Sequence, residues 1–157
     1  MAATVFNIAA GRVAGNAARV NANDPANSVL VLVAINSSTA QSVLKDLTTL
    51  DAVLRDAGTR EVTNSGYARI RLDDRSSITV TADNTGDQQL VDFPDQVFRA
   101  VAAGTRWTHL IVGYDSDSTG GTDANIEPQT ISDFSIDPNG GDITAQVAAG
   151  GFFAART

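Results

Sequence analysis

The chain opens on a loose alternation of small and apolar residues and then switches, at Ser28, to an unbroken apolar run. Ser28–Ile35 (SVLVLVAI) is β-branched and continuous, the pattern of a strand covered on both faces. After it, Val43, Leu44, Leu47, Leu50, Val53 and Leu54 recur at spacings of one, three and four, which predicts an amphipathic helix. Ser37–Thr39 supply an N-cap region, with an alternative start at Thr48 or Thr49 after an irregular stretch, and Gly58 stands where a C′ residue is expected. From Thr59 the period becomes two. In GYARIRL, Ala68, Ile70 and Leu72 share one face; in SITVTA, Ile78 and Val80 do; in THLIVGY, Leu110, Val112 and Tyr114 do. QQLVDFPDQVF, SDFSI and DITAQV add further strands. Turns are expected at DNTGD (83–87), in the Asp/Gly tract after Tyr114 and at DPNGGD (137–142). Phe152 and Phe153 are read as the end of the last strand.

Before Ser28 the signal is weaker. Val5, Ile8, Val13 and Val20 alternate with alanines, and Arg12 and Arg19 lie seven apart on one helical face. Gly11 and Gly15 each cost a helix about 1 kcal/mol relative to Ala. The expectation is a short helix that needs docking, ended by a turn at Asn23–Pro25. The fold class predicted is mainly β with one or two short α-helices, an antiparallel β-sandwich of about seven strands. Residues 1–24 form an N-terminal arm that docks on the domain or on a neighbour. Residues 25–157 form a single β-sandwich domain with a helix near 40–57.

Composition narrows the function. At 157 residues one domain is expected, able to bury about 70% of its unfolded surface. Cys is absent, so disulfides and thiolate metal sites are excluded, and the single His109 excludes multi-histidine metal centres. Eleven basic residues against 18 acidic ones give a net charge of −7, a poor match to a phosphate backbone; no nucleic-acid partner is expected. Ten of the eleven basic residues are arginine, which reflects either interface use or the codon usage of a GC-rich genome. The longest apolar run, Val29–Ile35, is far short of the roughly 20 residues of a membrane helix, so no membrane partner is expected. No basic region followed by a long apolar stretch opens the chain, which predicts synthesis in a cytoplasm without export by that route.

Candidate chemistry is sparse. His109 sits mid-strand, opposite in facing to Leu110 and Val112, and reads as a histidine on the other face of the sheet rather than a general base. The loop DSDSTGGTDAN offers Asp115, Asp117, Thr119, Asp123 and Asn125 as oxygen ligands for calcium. Counted from Asp115, Gly120 falls at the EF-hand glycine position, but Ile126 falls where the bidentate Glu belongs, and the flanks are strand. Asp115, Asp117 and Asp123 therefore remain a weak, non-EF calcium candidate. No phosphate loop and no G-x-S-x-G occurs. A paired-carboxylate site would need an aromatic-lined cleft, for which one Trp and two Tyr are meagre. The reading is a non-enzyme without cofactors. Its candidate protein-contact residues are Phe6, Arg12, Arg19, Phe152 and Phe153.

Several segments resemble a known family. LVDFPDQVFRAV, LIVGYDSDSTGGTDANIEPQTISDF and DPNGGDITAQVAAGGFF are similar to stretches of small structural proteins of tailed bacteriophages, especially those of actinobacterial hosts. The order of AAGRVAGNAARV, the strand after it, TLDAVLRDAG and GYARIRL matches as well, so the resemblance runs from about residue 5 to residue 153. GYAR and the Tyr114–Ile126 string are its specific parts. The resemblance implies a virion protein: capsid decoration (cement) or minor capsid, with minor tail or head fibre as the alternative. It implies the major capsid protein or other virion proteins as partners, and a homo-oligomer, a trimer where capsids offer threefold sites. A third reading, outside the resemblance, is a carbohydrate- or calcium-binding sandwich module, with Trp107 and Tyr67 lining a groove.

Overall fold

The computed structural model describes residues 3–156. In chain order the elements are β1 (Ala3–Val5), α1 (Val13–Ala22), β2 (Val29–Ser37), α2 (Gln41–Leu44), α3 (Leu50–Leu54), β3 (Thr59–Glu61), β4 (Ile70–Leu72), β5 (Thr79–Asp83), β6 (Gln88–Asp92), β7 (Gln96–Phe98), β8 (Trp107–Asp115), β9 (Ile126–Ile136), β10 (Ile143–Ala145) and β11 (Phe153–Arg156). The molecule is mainly β, with three short α-helices and antiparallel sheets in a sandwich-like arrangement.

The main sheet runs β1-β9-β8-β2, with β3 and β4 set end to end along the far edge of β2. β2 lies against β8 in register from Val29↔Asp115 to Ile35↔His109. Direct partners share a face, so Leu30, Leu32 and Ala34 meet Tyr114, Val112 and Leu110 on one side, while Val31, Val33 and Ile35 share the other with Gly113 and Ile111. Both sides are covered. On the first, Ala14, Ala17 and Val20 of α1 pack with Val91 and Phe93 from the sheet β11-β6-β5 and with Phe98, Ile143 and Ala145 from the pair β10-β7. On the second, Leu44, Leu50 and Val53 of α2 and α3 pack with Phe6, Ala9 and Val13. A strand buried on both faces has no place for a polar residue, which is why β2 reads as an unbroken apolar run.

Gly113 marks a tight point in this layer. A Cβ there would stand 2.7 Å from Ile126 Cγ2 and 3.3 Å from Val31 Cγ1, beside the register shift between Val112 and Gly113. Only a residue without a side chain lets β8, β9 and β2 close up here.

Several predicted boundaries are corrected. The helix near 40–57 is two helices, α2 and α3; Thr49 caps the second by accepting from the Ala52 N–H at 3.1 Å. Gly58 is not a C′ residue. It sits against the side chains of Ser38 and Thr39, where no side chain fits. Among the described residues the expected seven strands are eleven: β1 and β3 are too short to show a period, β11 is separate from β10, and Pro94 divides QQLVDFPDQVF into β6 and β7, which enter different sheets. Phe153 begins the last strand rather than ending it. α1 stops at Asn23, whose left-handed backbone (φ 54°) lets its N–H reach the carbonyls of Arg19 and Val20.

Replacing Leu32 (1% exposed) by Ala is expected to lower the unfolding free energy by about 2–5 kcal/mol. Val43→Ala, at a side chain 54% exposed, should change it by less than about 0.5 kcal/mol. Urea denaturation of both variants measures the contrast, and equal midpoints would refute the assignment of Leu32 to a closed core.

Candidate functional site

Of the residues singled out from the sequence, those of GYAR and of the Asp/Gly loop meet beside the edge of β2. β3 and β4 leave a gap beside Ala34, and the chain fills it from both sides. Ala34 O accepts from the Val62 N–H at 3.2 Å, and the Ala34 N–H donates to Tyr67 Oη at 3.1 Å. Tyr67 in turn donates to Glu61 Oε1 at 2.9 Å. Burial pushes its phenol far above the ordinary range, and the charge on Glu61 adds to this, so the hydroxyl stays protonated.

Arg69 carries the next link. It grips Glu61 in a fork, Nε to Oε1 at 2.8 Å and Nη2 to Oε2 at 2.7 Å. It also holds Asp123 by a second fork, Nη1 to Oδ1 at 2.5 Å and Nη2 to Oδ2 at 3.0 Å. All three groups are partly buried, where such charge-assisted pairs are strongest. The hydrogen bonds to Glu61 and Asp123 raise Arg69 above its usual value, and Arg69 holds Asp123 below the usual carboxylate range. Arg71 ties down the middle of the same loop through Ser118 O at 2.6 Å.

This arrangement explains what the Asp/Gly loop does with its acids. Asp115 is buried and accepts from the Asp117 N–H at 3.1 Å; Asp117 accepts from both the N–H and the hydroxyl of Thr119. Asp117 is lowered chiefly by the hydroxyl of Thr119. Asp123 is spent on Arg69. Asp115 and Asp117 thus cap local turns while Asp123 pairs with an arginine 54 residues away, and among the described residues no group of three or more acids or histidines is placed to hold a metal ion.

Trp107 and Tyr67 do not line a groove. Trp107 is fully buried, donates to Asn64 Oδ1 at 3.1 Å and packs edge-on to Tyr67 and Phe98 at centroid distances of 5.4 and 5.0 Å. The aromatic pair expected to meet a sugar is part of the first core.

His109 is partly buried on β8. Its Nδ1 lies 2.9 Å from Thr108 Oγ1, and its Nε2 lies 3.4 Å from Asp133 Oδ1, which also accepts from Gln41 at 2.7 Å. Burial lowers the imidazole and Asp133 raises it. The order hydroxyl, imidazole, carboxylate is that of a hydrolase triad, but Thr108 Oγ1 accepts from the Ser37 N–H at 2.8 Å and donates to Ile35 O at 3.2 Å. Its proton is engaged by the β2 backbone, so the group pins two strands together rather than presenting a nucleophile.

The five expected contact residues are redistributed. Phe6 is fully buried in the second core and cannot meet a partner; its N–H donates to Gln129 O, which draws the ring under the sheet edge. Arg12 bridges Glu127 at 2.8 Å and donates to Ile8 O, stapling the N-terminal segment to β9. Phe152 packs on Phe93 at 4.7 Å, and Phe153 pairs with Val91, so both belong to the margin of the cores. Among the described residues Arg19 alone of the five is exposed with no side-chain partner.

The polar network Tyr67–Glu61–Arg69–Asp123 is not readable from sequence because its closing member, Asp123, lies 54 residues beyond Arg69. GYAR and the Asp/Gly string were visible, but not their pairing. No family model, curated protein or solved structure matches the chain.

Arg69→Met is expected to cost about 1–3 kcal/mol at neutral pH, since it strands two partly buried carboxylates. Asp123 has a lowered value in the folded state, so its contribution is complete above the ordinary carboxylate range and is lost as pH falls through the lowered value. The variant should therefore lose less stability than the parent on acidification, a difference read from urea melts across the acid range. Parallel acid limbs would refute the pairing. Saturating calcium is expected to leave the Tm of the parent unchanged; a calcium-dependent rise would restore a metal role for the loop.

Proposed function

We propose that this chain is a non-enzymatic structural protein of a tailed-bacteriophage virion, a capsid decoration or minor capsid protein that binds and stabilises the assembled head. One observation carries the reading beyond the resemblance. The two most specific strings, GYAR and Tyr114–Ile126, are joined to each other through Arg69 and Asp123. Gly66 belongs to the same construction: its backbone is left-handed (φ 85°), and a Cβ would stand 2.5 Å from Ala100 O. Residues that a catalytic or ligand-binding family would spend on substrate are here spent on holding a loop in one shape. A fixed, non-catalytic surface suits a protein that works by repeated docking on a symmetric shell.

The mechanism is additive. Each copy makes a modest contact across a junction between capsid subunits, and binding to the assembled form alone shifts the equilibrium towards it. Oligomerisation of the decoration protein would add avidity without new contacts.

Quantitative mass spectrometry of purified particles is the decisive measurement. A head-decoration role predicts on the order of hundreds of copies per virion, whereas a tail or head-fibre role gives about six to a few dozen. Absence from washed particles would overturn the virion reading altogether.

A further inference from the structure

The sheet β11-β6-β5 ends in a strand with one open side. Among the described residues β5 pairs with β6 alone, from Thr79↔Asp92 to Asp83↔Gln88. Thr79, Thr81 and Ala82 are exposed, and a hollow of about 260 Å³ lies on the face that β5 shares with β6, lined by Thr79, Thr81, Leu90, Asp92 and the turn at 149–151. Folded proteins commonly blunt such an edge with lysine, proline or a bulge. TVTAD carries no lysine or proline, and its pairing with β6 is regular from end to end. Its β-branched residues favour further strand pairing.

The charge around this edge is strongly one-sided. Residues 73–95 hold Asp73, Asp74, Asp83, Asp87, Asp92 and Asp95 against Arg75 alone, a formal −5 out of the chain's −7. Elsewhere one acid of the Asp/Gly loop and both acids of the 137–142 turn face arginines: Asp123 meets Arg69, Asp142 meets Arg99 and Asp137 meets Arg106. Among the described residues no ion pair of that kind draws on Asp73, Asp74, Asp92 or Asp95, and all four are exposed.

We infer that β5 is the edge onto which an extended segment of a partner protein, bearing lysine or arginine, adds as a further strand. The unpaired backbone of β5 supplies hydrogen bonds, and the surrounding aspartates select the sign of the incoming side chains. A second copy of this chain is disfavoured at the same edge, because it would bring two acidic strands together. The inference does not rest on the virion reading, since particle copy number and edge binding are measured separately.

The test uses the full-length ¹⁵N-labelled protein and a synthetic peptide alternating Lys with Val and Thr. Saturable amide shifts centred on Thr79–Asp83 are expected. They should fade as salt rises from about 0.01 to about 1 M, over which the screening length falls from about 30 to about 3 Å. Asp73→Asn and Asp92→Asn should each weaken binding about two- to fivefold. Thr81→Lys, at an exposed position, should weaken it further without disturbing the fold. The same peptide with Glu for Lys, and a Lys/Pro peptide that cannot pair as a strand, should not bind. Shifts located elsewhere, no shift at millimolar peptide, equal binding of the Glu peptide, or concentration-dependent self-association through β5 would each overturn the inference.

Discussion

The structure depends on burying β2 on both faces while leaving no backbone group of that strand unsatisfied. Two-sided burial dictates the unbroken apolar run, the coverage by α1 and the small sheets on one side, and the coverage by α2 and α3 on the other. It also creates a problem at Ala34, where β3 has ended and β4 has not begun. A buried, unpaired N–H costs about as much as a lost hydrogen bond. Tyr67 solves this with its hydroxyl, and so the polar network begins as a repair to the central strand. Glu61 then accepts from Tyr67, Arg69 compensates Glu61, and Asp123 compensates Arg69. A requirement of the core thereby determines where a surface loop is anchored.

Arginine recurs wherever an acidic segment must be held in place. Arg69 and Arg71 secure the Asp/Gly loop, Arg99 and Arg106 secure the turn at 137–142, and Arg12 secures the start of β9. A planar fork with several donors can serve a carboxylate and a second acceptor together, which an ammonium group does less well. This gives the arginine-rich, lysine-poor composition a structural use, whichever codon bias accompanies it. The pairs at Arg99 and Arg106 are exposed and contribute little to stability individually. Their effect is to select one shape for a loop that contains Asn139, Gly140 and Gly141 and would otherwise have many.

What was legible in the sequence follows from how local each cause is. β2 and the facing of Leu110, Val112 and Tyr114 were readable because alternation and burial act along a single strand. The cap was legible only in part: Thr49 was one of two alternative starts, whereas α2 begins after Ala40 with no side-chain cap from Ser37–Thr39. The split at Pro94 into two sheets was not, since proline forbids a central position without saying where the chain goes next. Phe6 was assigned outward because its neighbours are small and weakly patterned; only the path of the segment under β9 buries it. The calcium and sugar readings rest on the same kind of cue. In each, residue types suited to a ligand had nearer partners within the chain, Asp123 in Arg69 and Trp107 in Asn64, and those partners lie 54 and 43 residues away.

That pattern bears on function. The polar constellations that looked chemical from sequence are consumed internally, at Arg69, at Thr108 and at Asp115, whereas the acidic rim of β5 is not balanced in the same way. Electrostatic energy invested inside the domain raises its rigidity, and charge left at an open edge steers encounter with a partner. A protein that had to close on a small substrate would concentrate its unpaired polar groups in a concave site. Here the acids without such a pair lie along a strand edge, a distribution that fits the basic strand proposed for β5. On that proposal the domain acts as a rigid docking unit, and its partner is the basic strand or shell that meets the edge.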